Sequence, residues 1–324
     1  MAIYRHRKII DAIHEDPEAC KSLSANPHPA AVEYILGNPG PPTYPQQHPN
    51  WWHLSGNKTP NAVKYLLKHP DKINWDCFSR NTNPQAVEYL LHHPENINWR
   101  SFACNETPQA VEYMLQHPEL INSEYLSLNE NQQAVDYLLQ HPDKIYWWAF
   151  SYNENQQAVE YLLQHPENII RRSFSWNTNP QAVEYLLQHP ENINWWSFSG
   201  NSNHQAVEYM LQDPEDIDWE YFSLNANPQA VEYLLQHPEK ICWGSFSHNT
   251  NPTTFEYILQ HPAHTNLIKI ASNPHLFELD YLAMSLIRTR RIEADLCAAA
   301  QTPKRTGIKL TTHLDNNGNI LDYE

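Results

Sequence analysis

Glycine is scarce in this chain, with 7 residues against 25 prolines among 324. So little glycine beside so much proline is not typical of a flexible linker and favours proline at fixed structural positions. No run of 18 apolar residues occurs, so we expect no membrane-spanning helix. The five cysteines are scattered and form no Cys-x-x-Cys pair, which predicts neither a disulfide framework nor a zinc knuckle.

Positive charge is also scarce, because 21 lysines and arginines face 37 acidic residues and give a formal net charge of −16. This balance argues against bulk phosphate binding, so we expect no nucleic-acid partner. The first residues include Arg5, Arg7 and Lys8 but no apolar core of a secretory signal, which favours an intracellular location. The 41 % hydrophobic content is typical of a folded chain.

What the chain has in abundance is a 24-residue repeat. Valine recurs at this spacing from Val63 to Val231, and proline from Pro70 to Pro262. One unit, starting at Asn81, reads NTNPQAVEYLLHHPENINWRSFAC. A fixed period of this length indicates a solenoid, in which each unit buries its apolar face against its neighbours.

The repeat divides the chain into four parts. Nine regular units occupy residues 57–273. Residues 1–56 read as degenerate N-terminal capping repeats with a proline-rich insertion, and residues 274–306 as a C-terminal capping helix. Residues 307–324 form a tail without the period.

Each unit reads as two short helices. Asn83 is a good N-cap and Pro84 suits the first helical position, while Pro94 must end this first helix after about nine residues. Asn98 caps a second, one-turn helix. The fold class is therefore all-α, an α-solenoid. Because stacked helices lie about 8–10 Å apart, nine regular units would extend over about 80–90 Å as a rod or an arc.

Two columns of the repeat do not vary and are expected to be structural. Leucine is invariant at the eleventh position of the unit, which predicts a core column; its members are Leu67, Leu91, Leu115, Leu139, Leu163, Leu187, Leu211, Leu235 and Leu259. The asparagine that opens each unit is expected to satisfy backbone groups in the turn between units. Its members run from Asn81 to Asn273.

The histidine that precedes the repeated proline raises the question of a metal site. One histidine per unit, with units about 10 Å apart, cannot place two of this column on one ion at about 2 Å. The alternative is a residue at the helix C-terminus, where the imidazole meets free carbonyl groups. We adopt this alternative and expect no bound metal.

Two positions of the 24-residue unit differ in residue type from one unit to the next, and we look for functional residues at these positions. One follows the repeated tryptophan and the other precedes the asparagine, and both become aromatic or cationic in the middle units. The candidate partner-binding residues are Tyr146, Trp148, Tyr152, Arg172, Trp176 and Trp196. Tryptophan, tyrosine and arginine are enriched in interface hot spots, and an arginine can stack on an indole. The alternative is that these side chains fill the groove between helices.

Catalytic motifs are missing from the sequence. It contains no glycine-rich phosphate loop, no Gly-x-Ser-x-Gly and no His-Glu-x-x-His. The carboxylates recur identically in unit after unit, whereas an active site occurs once. We therefore expect a protein that is not an enzyme, with no catalytic residues and no cofactor.

The repeat resembles one found in uncharacterised proteins of giant nucleocytoplasmic large DNA viruses. The likeness rests on units such as NSNHQAVEYMLQDPEDIDWEYFS from Asn201, and on the closing segment FELDYLAM from Phe277 followed by RRIEADL from Arg290. This chain has His-Pro where that family commonly has Asn-Pro. The resemblance implies a viral α-helical repeat protein in the host cytoplasm or the virion, and it implies no catalytic residues.

Two functions follow as hypotheses. The first is a non-enzymatic scaffold for protein–protein interaction, whose extended helical-repeat surface binds a host or viral protein. The second is a minor virion or assembly protein, whose rod shape spans capsomers or lines a shell.

Overall fold

The computed structural model describes residues 10, 13, 16–37, 49–261, 264 and 266–277. They belong to one compact unit, Arg5–Glu278, while Met1–Tyr4 and Leu279–Glu324 make up a second unit outside the described residues. Most of the proline-rich insertion, most of the predicted capping helix 274–306 and the whole tail 307–324 therefore lie outside the described part. Within the described part the backbone forms helices and turns but no strand, which confirms the all-α solenoid.

The first helix of each unit has the predicted length of about nine residues. These first helices span Pro29–Gly37, Pro60–Lys68, Pro84–His92, Pro108–Leu115, Gln132–Gln140, Gln156–Gln164, Pro180–Gln188, His204–Gln212, Pro228–Gln236 and Pro252–Gln260. Asn83 shows how they begin, since its extended backbone (φ −65°, ψ 130°) lets its side chain accept a hydrogen bond from the Gln85 amide. Pro84 then occupies the first turn, where no amide donor is needed.

The second helix of each unit is only four to six residues long. These second helices span Trp51–Gly56, Trp75–Ser79, Trp99–Phe102, Ser123–Leu126, Trp147–Phe150, Arg171–Phe174, Trp195–Phe198, Trp219–Leu224, Trp243–Phe246 and Leu267–Ala271. Near the N-terminus, Pro17–Ser22 and the 3₁₀ turn Leu23–Ala25 take the same place.

A 3₁₀ turn joins the two helices in most units, an element the sequence did not predict. The repeated proline both ends the first helix and starts this turn, because its fixed φ suits a first helical position. The turns are Pro70–Lys72, Pro94–Asn96, Pro142–Lys144, Pro166–Asn168, Pro190–Asn192, Pro214–Asp216 and Pro238–Lys240.

The core is a stack of closely similar layers, with Leu126 in place of the phenylalanine in one unit. In the unit that starts at Asn81, Ala86, Val87 and Leu90 of the first helix are buried, and Phe102 of the second helix is fully buried. The corresponding phenylalanines of other units are also fully buried: Phe78, Phe150, Phe174, Phe198, Phe222 and Phe246. Burying a side chain of this size contributes about 1.5–3 kcal/mol, so each layer stabilises its neighbours.

The invariant leucine column is not the buried core that the sequence predicted. Leu91 and its equivalents are only half-buried, whereas the preceding residue, Leu90, is fully buried. The reason is the direction of the helix stripe, which passes through Ala86, Val87 and Leu90. The eleventh position lies at its edge, as Leu115 shows by lining an open groove between two first helices.

The asparagine column forms a continuous ladder between units, as predicted. Asn153 Nδ2 donates to the carbonyls of Ser127 at 3.1 Å and Asn129 at 2.9 Å, and its Oδ1 accepts from the Asn155 amide at 2.9 Å. One side chain thus satisfies three backbone groups in a buried turn. The same donation recurs in every regular unit.

The ladder closes on itself. Asn26 Nδ2 donates to the carbonyls of Ala271 at 2.8 Å and Asn273 at 2.7 Å, the same geometry that links neighbouring units elsewhere. Next to this seam, helix Pro17–Ser22 packs on helix Leu267–Ala271. Eleven asparagines form the closed set, here called the asparagine ring: Asn26, Asn57, Asn81, Asn105, Asn129, Asn153, Asn177, Asn201, Asn225, Asn249 and Asn273.

Closure corrects the extended shape expected from the sequence. An extended array would keep its two ends apart. Instead, Asn26 near one end donates to the carbonyls of Ala271 and Asn273 near the other, and helix Pro17–Ser22 packs on helix Leu267–Ala271. The array of described units therefore curves until its ends meet, and it forms a closed ring within the Arg5–Glu278 unit.

Candidate functional site

Side chains of the second helices lie on the inner side of the ring. Arg80 and Tyr125 belong to units that are two apart, yet the guanidinium lies 5.6 Å from the centre of the ring of Tyr125. Trp176 and Tyr221 are also two units apart, and their ring centroids are 5.6 Å apart. Side chains from units that are not neighbours can touch only where they converge, which is on the inner side of the ring. We call the positions equivalent to Asp76, Cys77 and Arg80 in each unit the inner face.

Three of the six predicted partner-binding residues are exposed. Tyr146 is 49 % exposed, and Trp148 and Tyr152 are each 45 % exposed. Tyr146 stands at the N-cap of the second helix Trp147–Phe150, while Trp148 and Tyr152 occupy the inner face. Ile170, one unit later at the position of Tyr146, is 41 % exposed. We call these four exposed side chains, which come from two neighbouring units, the aromatic patch.

The other three predicted residues form a cluster with one another, in which Arg172 is exposed and both tryptophans are half-buried. The Arg172 guanidinium lies 4.3 Å from the centre of the Trp196 ring system, as the sequence suggested. Trp176 meets Trp196 edge-on at 6.5 Å, and Tyr221 contacts both indoles. Trp176 and Trp196 are half-buried, so part of each indole packs against the protein and part stays accessible.

A glycine makes room for this cluster. A Cβ atom added at Gly200 would overlap the far end of the Trp176 indole. Gly56, at the same position of an earlier unit, has only ordinary contact with the Cys77 Cβ at 3.8 Å. The pairing of tryptophan with glycine in successive units is therefore a packing relation.

Sequence reasoning missed two tyrosines of the inner face. Tyr125 accepts a hydrogen bond from the Arg100 guanidinium at 2.8 Å, and that group lies 4.8 Å from the ring centroid. Tyr221 joins the cluster around Trp196. Both belong to the column of Cys77, which also varies from unit to unit. That variation was the signal in the sequence that could have identified them.

A row of carboxylates borders the aromatic patch. Glu106, Glu130 and Glu154 occupy the same position in three successive units, just after the asparagine ring. Partial burial raises the pKa of Glu130, and the charges of Glu154 and Glu106 raise it further, although its carboxylate accepts a hydrogen bond from the Glu154 amide at 3.3 Å. The same Glu154 and Glu130 charges, after partial burial, raise the pKa of Tyr152. Tyr152 therefore lies within the field of two carboxylates.

The histidine column caps the first helices, as the sequence predicted. In His141, His189 and His261 the ring Nδ1 lies 2.8–3.0 Å from the carbonyl oxygen of the tyrosine four residues earlier. His93 and His165 instead place Nδ1 within 3.5 Å of a glutamate two residues later. Within the described ranges, no three histidine, cysteine or acidic side chains are grouped so that they could hold a metal ion.

A cavity of about 570 Å³ opens on the inner face of the early units. Its lining includes Lys58, Asp76, Arg80 and Glu106, so it carries charges of both signs. Two thiols, Cys77 and Cys104, also line it, and partial burial raises the pKa of each. A raised pKa keeps a thiol protonated, which is unfavourable for a nucleophile or a metal ligand.

No family model, no curated protein and no solved structure matches this chain. In the part of the chain that the structure describes, no helix is both long enough and apolar enough to span a bilayer. The functional argument therefore rests on the geometry of the inner face.

Proposed function

We propose that this protein is a non-enzymatic scaffold that binds another protein through the inner face of its ring. The observation that carries the proposal is the aromatic patch. Seven large apolar side chains are exposed among the described residues, and four of them fall in the patch. Exposed aromatic side chains grouped in this way mark interaction sites more often than scattered ones do.

The geometry of the ring supports a segment of a partner more than a flat surface. Contacts between units two apart narrow the inner side, so a bound chain meets side chains from several units at once. The resemblance to giant-virus repeat proteins supports a host or viral protein as the partner.

The assembly-protein alternative depended on a rod that spans capsomers. The asparagine ring removes the basis for that shape, since the two ends of the repeat array are hydrogen-bonded to each other. The second proposal is therefore a ring-shaped assembly protein, and the capture experiment below distinguishes it from the scaffold.

Capture from host-cell lysate tests the proposal. The bait is the full chain, compared with Trp148→Ala/Tyr152→Ala and with Leu120→Ala as a control. Leu120 is 43 % exposed, but it lies between the first helix Pro108–Leu115 and the second helix Ser123–Leu126, outside the inner face. We expect a partner that the double variant loses and that Leu120→Ala keeps.

Folding of each bait is checked by thermal unfolding. Since the two substituted side chains are exposed, the double variant should unfold within about 1 kcal/mol of the wild type. Equal capture by the wild type and the folded double variant would contradict the proposal. Capture by no bait, together with abundance of the chain in purified particles, would favour the assembly role.

A further inference from the structure

The inner face repeatedly pairs an arginine with an aromatic ring of a later unit. Arg100 lies over Tyr125, and Arg172 lies over Trp196. Such cation–π contacts contribute about 0.5–1 kcal/mol at exposed sites. Aromatic rings on the inner face therefore already bind guanidinium groups within the protein itself.

The aromatic patch has the rings but lacks the cations. Within the described ranges, no lysine or arginine lies over the ring of Trp148 or Tyr152. Nor does any described cation form an ion pair with Glu130 or Glu154. One oxygen of each carboxylate accepts a backbone hydrogen bond, Glu130 from the Glu154 amide and Glu154 from the Thr178 amide, and the described residues place no positive charge on either group.

We propose that the aromatic patch, together with Glu130 and Glu154, binds a basic, arginine-containing extended segment of the partner protein. This inference rests on the proposed function and adds the chemistry of the bound segment. A guanidinium would stack on Tyr152 or Trp148 and hydrogen-bond to the carboxylates of Glu130 and Glu154. Arginine suits this site because its planar group can stack and form a forked hydrogen bond at once.

The site has a polar row and an apolar row of side chains, and this arrangement also favours an extended segment. Glu130 and Glu154 are one unit apart, as are Tyr146 and Ile170, so polar and apolar contacts run side by side along the same direction. A segment with arginines on one side and apolar residues on the other would meet both rows. The formal net charge of −16 also attracts a basic chain at long range.

Direct binding of a defined peptide tests the inference. The probe is a short fluorescein-labelled peptide that alternates arginine with alanine, and its matched control replaces each arginine by citrulline, which keeps the shape and removes the charge. Fluorescence anisotropy measures the dissociation constant with the full chain. We expect binding of the arginine peptide and at least about tenfold weaker binding of the citrulline peptide.

Variants locate the site. Glu130→Gln/Glu154→Gln should weaken binding of the arginine peptide about tenfold, and Tyr152→Ala about three- to fivefold. The matched control is Glu184→Gln/Glu208→Gln, which removes the same charge from exposed positions on first helices. This control should change the dissociation constant less than about twofold.

Three outcomes would overturn the inference: no binding of the arginine peptide, equal binding of the citrulline peptide, or an equal loss of binding in the control variant. The proposed function is judged separately by the lysate capture. A partner that depends on Trp148 and Tyr152, found together with no binding of the arginine peptide, refutes the basic segment and leaves the scaffold role in place.

Discussion

At the scale of single residues, the same repeat position does different work in different units. The position of Arg80 holds Tyr152 as an exposed ring, Trp176 as a packed ring and Gly200 as the space that receives it. The scaffold around these positions is nearly constant, so each difference can be tested against a matched residue of another unit. This internal control is available in few other folds.

Gly200→Ala should destabilise the protein by about 1–3 kcal/mol, because the added methyl group overlaps the Trp176 indole and forces it out of the cluster. Gly56→Ala, at the same position in a unit with open space, should change stability by less than about 1 kcal/mol. Chemical denaturation monitored by circular dichroism measures both.

A double-mutant cycle separates overlap from backbone effects. In a Trp176→Ala background the indole is gone, so Gly200→Ala should cost much less than in the wild type. An equal cost in both backgrounds would mean that the overlap is not the cause.

At the scale of the element, the turn between units supplies contacts that the short helices need in order to form. The second helix has only about one turn, too short to form alone, and is held by the buried phenylalanine and the asparagine next to it. In seven of the eleven turns two asparagines stand two residues apart, as Asn153 and Asn155 do. The first belongs to the asparagine ring, and the second caps the first helix.

Asn153→Ala should cost about 2–4 kcal/mol, because it leaves the buried carbonyls of Ser127 and Asn129 without their donor. Asn155→Ala removes an N-cap at a more exposed position and should cost about 1 kcal/mol. Urea denaturation of both variants gives the comparison. A smaller loss for Asn153→Ala than for Asn155→Ala would contradict the structural role given to the ladder.

The sequence predicts these elements well because each is specified locally. Asn83 and Pro84 start a helix, Pro94 ends it, and the spacing of Ala86, Val87 and Leu90 sets its buried side. The prediction that the invariant Leu91 is a core residue was wrong, because a residue type can also be invariant at the edge of the buried side of a helix. The 3₁₀ turn was missed because a proline that ends one helix was not read as the start of another.

The candidate site was predictable only in part. The unusual composition of residues 146–196 is visible in the sequence, but whether a given ring is exposed depends on the neighbouring unit. Trp176 packs against the protein because Gly200 leaves space for its indole, whereas the ring of Tyr152 is exposed. Glu154 follows Tyr152 by two residues, but Glu130 became part of the site only through the stacking of its unit on the next one.

At the scale of the whole Arg5–Glu278 unit, closure was not predictable from the repeat. A small bend per unit is invisible in sequence, yet it decides between a long array and a ring. The hydrogen bonds of Asn26 to Ala271 and Asn273 are contacts between residues about 250 positions apart. No local pattern specifies them.

Asn26→Ala should therefore cost about as much as Asn153→Ala, roughly 2–4 kcal/mol, since both side chains link two units. In an open array Asn26 would stand at one end and its loss would cost little. Urea denaturation compares the two variants, and small-angle X-ray scattering measures whether Asn26→Ala increases the radius of gyration. A negligible cost at Asn26 would show that the seam is not formed in solution.

The asparagine ring changes how stability is shared along the repeat. A linear array of eleven units has ten nearest-neighbour interfaces and two weak termini, whereas the closed array has eleven interfaces and no terminus. Unfolding any first unit must break two interfaces at once instead of peeling from an edge. Nearest-neighbour cooperativity with a periodic boundary therefore favours all-or-none melting, and amide exchange should be slow even in the units that lie outermost in the sequence.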